Sequence, residues 1–325
     1  MMGCNMRILH ISDLHLEEPM GIDVENVIER FYAIIAANAK EKPFSQIVIT
    51  GDIRNSKNEI SVDSAIEVIN KIAASANVSN KQQIHFVPGN HDLNRGSSKK
   101  LEGIRNRYDY INGTFHEAKS ELPIMLDRFN SFFWKLCDKY YNDVNPWNDR
   151  IRNPHYLKIH GDYAFIFINS SLGCINRSQD GNLIIGTAYL KQLVDSAVEQ
   201  NASIVIFFAH HPIQNLENLE ETALDHLLSK YTNVTFFWMC GDAHGNRHSL
   251  RGYIRLYQVG CLTKRKEAIP DFAIYDICGT SVDRKVFRYL EHLNNPARAG
   301  KPPGGWKRVY IDPRAPGLHY DETLD

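Results

Sequence analysis

The residues best suited to chemistry in this chain are carboxylate, imidazole and amide side chains that occur in short clusters. Asn90, His91 and Asp92 form the densest cluster, directly after Pro88-Gly89. The full set of candidate metal ligands is Asp13, His15, Asp52, Asn90, His210, Asp242 and His244. Oxygen and imidazole nitrogen, without thiolate, are donors that suit Mn²⁺, Fe²⁺ or Zn²⁺. We therefore predict metal-dependent chemistry at these residues.

The number of candidate ligands indicates two ions rather than one. Seven donors are too many for one ion with an open coordination position, but they suffice for two ions that share a bridging carboxylate. Two divalent ions about 3.5–4 Å apart can hold a bridging hydroxide and neutralise both ends of an in-line displacement at phosphorus. The donor set therefore favours hydrolysis of a phosphoester.

Each cluster follows a stretch that is typical of a buried β-strand. The strands are predicted over residues 7–12, 46–50, 83–87, 203–209 and 233–240. Predicted helices over 23–42 and 59–76 separate the first three strands, which favours a right-handed β-α-β-α-β run with a parallel sheet. Open α/β sheets bind ligands outside the carboxyl ends of such strands. We therefore expect the candidate ligands to lie together along one edge.

The motifs occur in a definite order, each at the end of a predicted strand: Asp13-x-His15, Gly51-Asp52, Gly89-Asn90-His91-Asp92, His210 and Gly241-x-x-His244. In this order the chain resembles the calcineurin-like binuclear metallophosphoesterase superfamily over roughly residues 6–290. The resemblance implies an α/β fold, a four-layer α/β/β/α sandwich of two mixed β-sheets flanked by helices, with a helical insert. It also implies a hydrolase that acts on phosphoester bonds.

The resemblance further implies a role for each site residue. One ion would be held by Asp13, His15, Asp52 and His244. The second would be held by Asp52, Asn90, His210 and Asp242, so that Asp52 bridges the two. His91 resembles the family's catalytic histidine, which stabilises the transition state and protonates the leaving oxygen without binding metal. His211 is expected behind the ligands, and Mn²⁺ is the favoured metal, with Fe²⁺ and Zn²⁺ as alternatives.

Two residues depart from the family pattern. The family usually has Gly-His-x-His where this chain has Asp242 at the second position, so a carboxylate would replace an imidazole on the second ion. Asp is a competent ligand, and we expect a changed metal preference rather than loss of binding. Many relatives carry an Asp that pairs with the catalytic histidine, and Asn55 stands at that position. The orientation of His91 would then depend on another group, such as Asp92.

The substrate class is suggested by the N-terminal stretch from Arg7 to His15, which is similar to the exonuclease and cyclic-nucleotide branches of the family. We therefore favour a phosphodiester over a monoester, with a nucleotide or a nucleic acid as substrate. The alternative is a metallophosphoesterase scaffold that has lost catalysis and acts as a binding module. Only the altered residues 242 and 55 support it.

The chain divides into a predicted catalytic domain (1–290) and a basic, Pro/Gly-rich tail (291–325). The tail is expected to be flexible or to connect to a fused or associated partner. Within the domain, residues 94–153 form an aromatic-rich insert with one amphipathic helix predicted over 126–141. The insert would be either a lobe packed on the core or a cap over the site. In a cap, aromatic side chains and a basic set would line the approach: Arg95, Lys99, Lys100, Arg105 and Arg107.

The composition of the 325 residues excludes several other classes of protein. No apolar run approaches the roughly 18 residues of a membrane span, so no membrane partner is expected. The N-terminus has no signal-peptide core, and six scattered cysteines indicate reduced thiols, so we predict a cytoplasmic protein. A net charge of -1 gives no global attraction to polyanions, and any contact with nucleic acid would need a local basic patch.

Overall fold

The fold consists of two mixed β-sheets that pack face to face, with helices on their outer surfaces. A computed structural model describes residues 6–55, 60–94, 98–116, 121–175, 182–244, 247–263, 269–290, 305–311 and 318–320. The predicted α/β sandwich of two mixed sheets flanked by helices is confirmed.

The first sheet has the strand order β13-β12-β11-β10-β1-β2-β3. Its strands are β1 (Met6–Ile11), β2 (Gln46–Thr50), β3 (Ile84–Val87), β10 (Asp271–Cys278), β11 (Ser281–Leu290), β12 (Gly305–Ile311) and β13 (Leu318–Tyr320). The pairs β1–β2 and β2–β3 are parallel, and the remaining pairs are antiparallel. The predicted β-α-β-α-β run is therefore present at one side of this sheet.

The second sheet has the strand order β4-β5-β6-β7-β9-β8. Its strands are β4 (Tyr156–His160), β5 (Tyr163–Phe167), β6 (Ile204–Phe208), β7 (Thr235–Cys240), β8 (Arg247–Arg251) and β9 (Ile254–Gln258). The four inner strands are parallel, and the edge strands β4 and β8 are antiparallel to their neighbours. Gly161 and Asp162 form the two-residue turn between β4 and β5, as predicted.

The core lies mainly between the sheets, where aromatic rings of one sheet contact those of the other. The ring of His85 in β3 stacks on Phe167 of β5, with 4.5 Å between centroids. Tyr257 of β9 meets Tyr275 of β10 edge to face at 5.6 Å. Strands buried on both faces are nearly all apolar because they contact helices on one side and the opposite sheet on the other.

Four long helices connect the parallel strands and cover the sheets. They are α1 (Ile22–Glu41), α2 (Val62–Ser75), α6 (Thr187–Glu199) and α7 (Asn218–Leu228). α1 packs beside α2, and α6 packs beside α7. The hydroxyl of Ser61 accepts a hydrogen bond from Ser64 N and so caps α2 at its N-terminus.

The insert is a packed lobe with three short helices, α3 (Ser98–Arg105), α4 (Glu121–Asp127) and α5 (Phe133–Tyr141). The prediction of one helix over 126–141 is wrong, because the chain turns between α4 and α5 and Trp134 N bonds to Phe129 O. Its large rings are buried, namely Phe129, Phe132, Phe133, Trp134, Tyr140, Tyr141 and Trp147. These rings therefore stabilise the lobe and are not available for stacking on a ligand. Arg95 lies outside the described residues.

Residues beyond 290 differ from the predicted flexible tail where the structure describes them. β12 pairs with β11, and β13 pairs with β12, so both strands extend the first sheet. Proline and glycine suggested a linker from composition, whereas strand pairing with β11 depends on backbone groups that composition does not show. Residues 291–304, 312–317 and 321–325 lie outside the described residues, and a partner bound through this region stays a prediction.

Within the described residues, no helix combines the length and the apolar character that a membrane crossing requires.

Candidate active site

Five strand ends meet at one end of the sandwich and bring the seven candidate ligands together. β1 is followed by Asp13 and His15, β2 by Asp52, and β3 by Asn90. From the second sheet, β6 is followed by His210 and β7 by Asp242 and His244. Backbone hydrogen bonds join neighbouring loops within each sheet. Asp13 N donates to Gly51 O in the first sheet, and Gly241 N donates to His210 O in the second. The predicted convergence of these residues is what the structure shows.

The first cluster contains Asp13, His15 and His244. Nε2 of His244 lies 3.3 Å from Asp13 Oδ1, and Nε2 of His15 lies 3.5 Å from the same oxygen. The two imidazole nitrogens are 3.4 Å apart. Three potential ligand atoms therefore surround one small space.

The second cluster contains His210, Asp242 and Asn90. Nε2 of His210 lies 3.6 Å from Asp242 Oδ1. The Asn90 amide lies 3.1 and 3.2 Å from the two oxygens of Asp52. This cluster faces the first one across the Asp52 carboxylate.

Asp52 lies between the clusters, with one oxygen toward each. Its Oδ1 is 3.5 Å from Nε2 of His210, and its Oδ2 is 3.9 Å from Nε2 of His15. The ligand atoms of Asp13, Asp52 and His210 are close enough to share an ion. The same is true of Asp13, His15 and His244. The position of Asp52 is the one that a bridging carboxylate requires.

One contact shows that the first cluster suits a cation. Asp13 Oδ1 is buried and makes no hydrogen bond, although two imidazoles lie 3.3–3.5 Å away. Ligand atoms about 2.0–2.2 Å from an ion lie roughly 3–3.5 Å from one another. The spacings of 3.3–3.5 Å in the first cluster match that range, and the His210–Asp242 distance of 3.6 Å and the His15–Asp52 distance of 3.9 Å are slightly longer.

The charge of the pocket also favours cations. Burial raises the pKa of Asp52 well above its usual value, and the charges of Asp13 and Asp92 raise it further. Burial alone would lower the pKa of His210, but the charges of Asp52, Asp13 and Asp242 raise it to about 9. Without metal, protonated imidazole therefore offsets part of the negative charge, and divalent ions would replace those protons.

Three of the candidate ligands, Asp13, Asp242 and His210, are each held by a further group that the sequence did not indicate. Oδ2 of Asp13 lies 2.6 Å from the Ser12 hydroxyl, and Oδ2 of Asp242 accepts a 2.9 Å bond from Asn215 Nδ2. Nδ1 of His210 donates to Thr50 O at 2.7 Å, which leaves Nε2 for the pocket. One atom of each side chain is thus fixed while the other faces the site.

The backbone around the site adopts a conformation that is uncommon for residues other than glycine. Eight such residues have positive φ within the described ranges, and five of them are candidate ligands: Asp13, His15, Asp52, Asp242 and His244. A left-handed conformation costs energy for a residue with a Cβ and persists where the surroundings enforce it. The loops are thus held in strained conformations at the residues that would carry the chemistry.

Gly89 permits the closest approach between two of these loops. A Cβ at this position would lie 2.1 Å from Asp52 N and 2.2 Å from Asp52 Oδ1. The Asp52 and Asn90 loops could not remain in contact with any larger residue at position 89. Glycine is therefore required here by the proximity of a backbone nitrogen.

We expect Gly89→Ala to lower the free energy of unfolding by about 2–3 kcal/mol, because the backbone must shift to accept the methyl group. The bound metal should fall below half of the wild-type content as Asp52 and Asn90 separate. Urea denaturation and metal analysis of the purified proteins measure the two effects. Gly21→Ala is the matched control, since nothing lies within 4 Å of a Cβ there. An equal loss in both variants would contradict the argument.

Asp92 and Asn55, which the sequence placed near His91, contact other groups instead. Asp92 does not orient His91, because its oxygens accept bonds from the backbone nitrogens of Gly89, Ile53 and Arg54. It therefore ties the β3 loop to the β2 loop. Asn55 donates to the Glu17 carboxylate at 3.0 Å.

His91 and His211 lie on opposite sides of the ligands. The side chain of His91 is 15% exposed, and its Nε2 lies 3.8 Å from Asp52 Oδ2. His211 is buried, with Nδ1 3.0 Å from the Ser170 hydroxyl and Nε2 3.9 Å from Asp242 Oδ1. His91 is therefore partly open to solvent, whereas His211 contacts Asp242 from a buried position, and its assignment behind the ligands stays a prediction.

The sequence is similar to a family model and to two known proteins. A family model described as calcineurin-like phosphoesterase matches residues 6–246. The metallophosphoesterase-like protein YydB of Bacillus subtilis (strain 168) is 23% identical over 299 residues, covering 88% of this chain and 59% of YydB. Protein R555 of Acanthamoeba polyphaga mimivirus is 27% identical over 157 residues, covering 47% of this chain and 11% of R555. The chain thus spans less than two thirds of either relative.

A comparison of solved structures agrees with the sequence match. A dimetal phosphatase from Danio rerio superposes with a TM-score of 0.52 at 12% identity, covering 87% of this chain and 95% of that protein. At this identity the likeness concerns the fold. Together with the family model, which spans most of the chain, it confirms the resemblance drawn from the motifs. The chain belongs to the calcineurin-like phosphoesterase family.

Proposed function

We propose that this protein is a metal-dependent phosphodiesterase whose substrate is a nucleotide or a nucleic acid. The observation that carries the proposal is the pair of ligand clusters that share the Asp52 carboxylate, with Oδ1 toward His210 and Oδ2 toward His15. A single structural metal would not need a second set of ligands on the far side of that carboxylate.

Two divalent ions fit the residues present. Asp13, His15, Asp52 and His244 would hold the first, and Asp52, Asn90, His210 and Asp242 the second. When bound, the ions would supply a hydroxide nucleophile at neutral pH and neutralise charge on the phosphoryl oxygens. The protein itself fixes the ligand atoms. Asp13, His210 and Asp242 are held by hydrogen bonds with Ser12, Thr50 and Asn215, respectively.

His91 is the residue that we assign to proton transfer. Its imidazole is partly exposed and faces the clusters through Nε2, while its backbone N donates to Asp52 Oδ1 at 2.7 Å. The Arg54 side chain donates to its carbonyl oxygen, so the loop that carries it is fixed at both ends of the residue. From this position Nε2 can donate a proton to the leaving oxygen of the substrate.

Asp242 is the basis for our proposal that the second ion is Mn²⁺. A carboxylate replaces the family's usual imidazole, and Asn215 holds it with Oδ1 toward His210. Oxygen donors favour harder ions, so the substitution shifts preference from Zn²⁺ toward Mn²⁺. Fe²⁺ remains compatible with the same set of donors.

A pair of chromogenic substrates tests the proposed activity. We expect the Mn²⁺-loaded protein to hydrolyse bis(p-nitrophenyl) phosphate at least about tenfold faster than p-nitrophenyl phosphate, measured as p-nitrophenolate release. Two equivalents of metal should accompany the activity. Turnover of the monoester alone would overturn the diester assignment. Absence of both bound metal and turnover after reconstitution would favour a binding module that has lost catalysis.

A further inference from the structure

Within the described residues, Arg105, the last residue of α3, lacks the carboxylate partner that Arg107 and Arg150 of the same insert have. Its Nη2 donates to the Asn182 amide oxygen at 3.1 Å, and no carboxylate pairs with it in the part of the chain that the structure describes. By contrast, Arg107 pairs with Glu121 and Arg150 pairs with Asp138. The positive charge of Arg105 is therefore not neutralised by its contacts.

Arg105 is connected to the candidate active site by a short series of hydrogen bonds. Asn182, its partner, donates its backbone N to Asn215 O at 3.1 Å. Asn215 in turn donates its side chain to Asp242 Oδ2 at 2.9 Å. Two residues, Asn182 and Asn215, therefore separate Arg105 from the Asp242 carboxylate of the second cluster.

The surroundings of Arg105 are fixed and include an aromatic ring. Tyr110 is half-buried, and its ring lies 4.9 Å from that of Tyr108. The Tyr108 hydroxyl donates to the buried carboxylate of Glu220, which also accepts bonds from Ile185 N and Gly186 N. Burial raises the pKa of Tyr110, whereas the Arg105 guanidinium lowers it, which indicates that the two side chains are close.

We infer that Arg105, with Asn182 and Tyr110, forms a subsite for the phosphate next to the scissile one in an oligonucleotide. The inference rests on the proposed phosphodiesterase function and narrows its substrate to chains with more than one phosphate. Asn182 and Tyr110 engage two of the five guanidinium N–H groups, and the others remain for paired contacts with phosphate oxygens. Tyr110 offers a ring face beside that phosphate, where a base can stack.

A phosphate is the ligand class that these groups favour. Asn182 is neutral, so an anion that binds Arg105 does not have to displace a carboxylate from the guanidinium. A carboxylate could also bind the Arg105 guanidinium, but a nucleic acid whose phosphodiester lies at the two ions would present its next charge as a second phosphate. Such contacts position a nucleic acid without reading its sequence.

The first test compares substrates that differ by one phosphate. Wild-type protein with Mn²⁺ should hydrolyse pTpT or TpTp with a KM about tenfold below that for TpT, which has only the scissile phosphate. Arg105→Ala should remove this preference and leave kcat and the hydrolysis of bis(p-nitrophenyl) phosphate within about twofold. Arg105→Lys should restore part of it. The control is Arg152→Ala, whose side chain is 85% exposed in a surface pair with Asp149.

The second test measures binding without turnover. The probe is a fluorescein-labelled phosphorothioate (dT)8, followed by anisotropy over a salt series. Arg105→Ala should weaken binding about tenfold and reduce the salt slope by about one, while Arg152→Ala should change neither. Equal binding by wild type and Arg105→Ala would overturn the subsite even if bis(p-nitrophenyl) phosphate is cleaved. Failure to cleave that compound, with Arg105-dependent binding retained, would instead overturn the catalytic proposal.

Discussion

Replacing Asp52 by Asn is expected to reduce hydrolysis of bis(p-nitrophenyl) phosphate by at least about a thousandfold and to lower the bound metal from two equivalents to one or none. The two Asp52 oxygens face His210 and His15, so this carboxylate contributes to both clusters. An amide offers one neutral oxygen and directs N–H groups at the other ion. Steady-state rates and metal analysis of the same preparations provide the measurement.

The fold should tolerate this change, which separates lost chemistry from lost structure. The raised pKa of Asp52 shows that its charge is unfavourable in the metal-free protein, because burial and neighbouring carboxylates oppose it. Metal-free Asp52→Asn should therefore unfold at a temperature no lower than metal-free wild type. Asp149→Asn, with a 74% exposed side chain, is the control for removing a carboxylate. A variant with two bound metals and normal rates would show that Asp52 does not bridge.

The convergence of the ligands could be predicted because each follows a strand whose character is local. The strands Gln46–Thr50 and Thr235–Cys240 have apolar interiors, Ile47–Ile49 and Phe236–Cys240, and the polar residues that follow mark where each strand must leave the core. Parallel pairing then places such ends along one edge. Five separate stretches of sequence could thus be assigned to one site without knowledge of any contact.

The groups that hold the ligands could not be predicted in the same way. Asn215 reaches Asp242 from the segment between β6 and α7, and this contact depends on how two loops pack. Asp92 was expected to contact His91, its sequence neighbour, yet it binds backbone nitrogens of the β2 loop. Hydrogen bonds between residues far apart in sequence leave no periodic pattern that would reveal them.

Errors in the predicted elements have a similar physical origin. β8 has few apolar residues because it lies at an exposed edge, so alternation could not identify it. In the insert, aromatic residues on several sides of the chain are all buried, and their spacing resembled one helix where the chain forms α4 and α5. Burial by tertiary contacts thus obscured the helical period.

The catalytic assignment of His91 predicts a different phenotype from that of Asp52. His91 lies beside the clusters, but the other seven residues already provide ligands for two ions. Its side chain is also the more exposed, at 15% against 3% for Asp52. An imidazole in this position can act on the leaving group, and the need for its proton depends on how basic that leaving group is.

We expect His91→Ala to retain two bound metals and to lower kcat for the dinucleotide TpT by about 10²–10⁴-fold. The loss with bis(p-nitrophenyl) phosphate should be at least about tenfold smaller, because p-nitrophenolate leaves readily without a proton whereas a sugar alkoxide does not. Rates for both substrates, with metal analysis, measure this difference, and exposed His226 on α7 gives the control His226→Ala. Loss of one metal would make His91 a ligand, as its proximity to His15 and Asp52 allows. Equal losses on both substrates would instead indicate charge stabilisation, since a general acid matters only where the leaving oxygen must gain a proton.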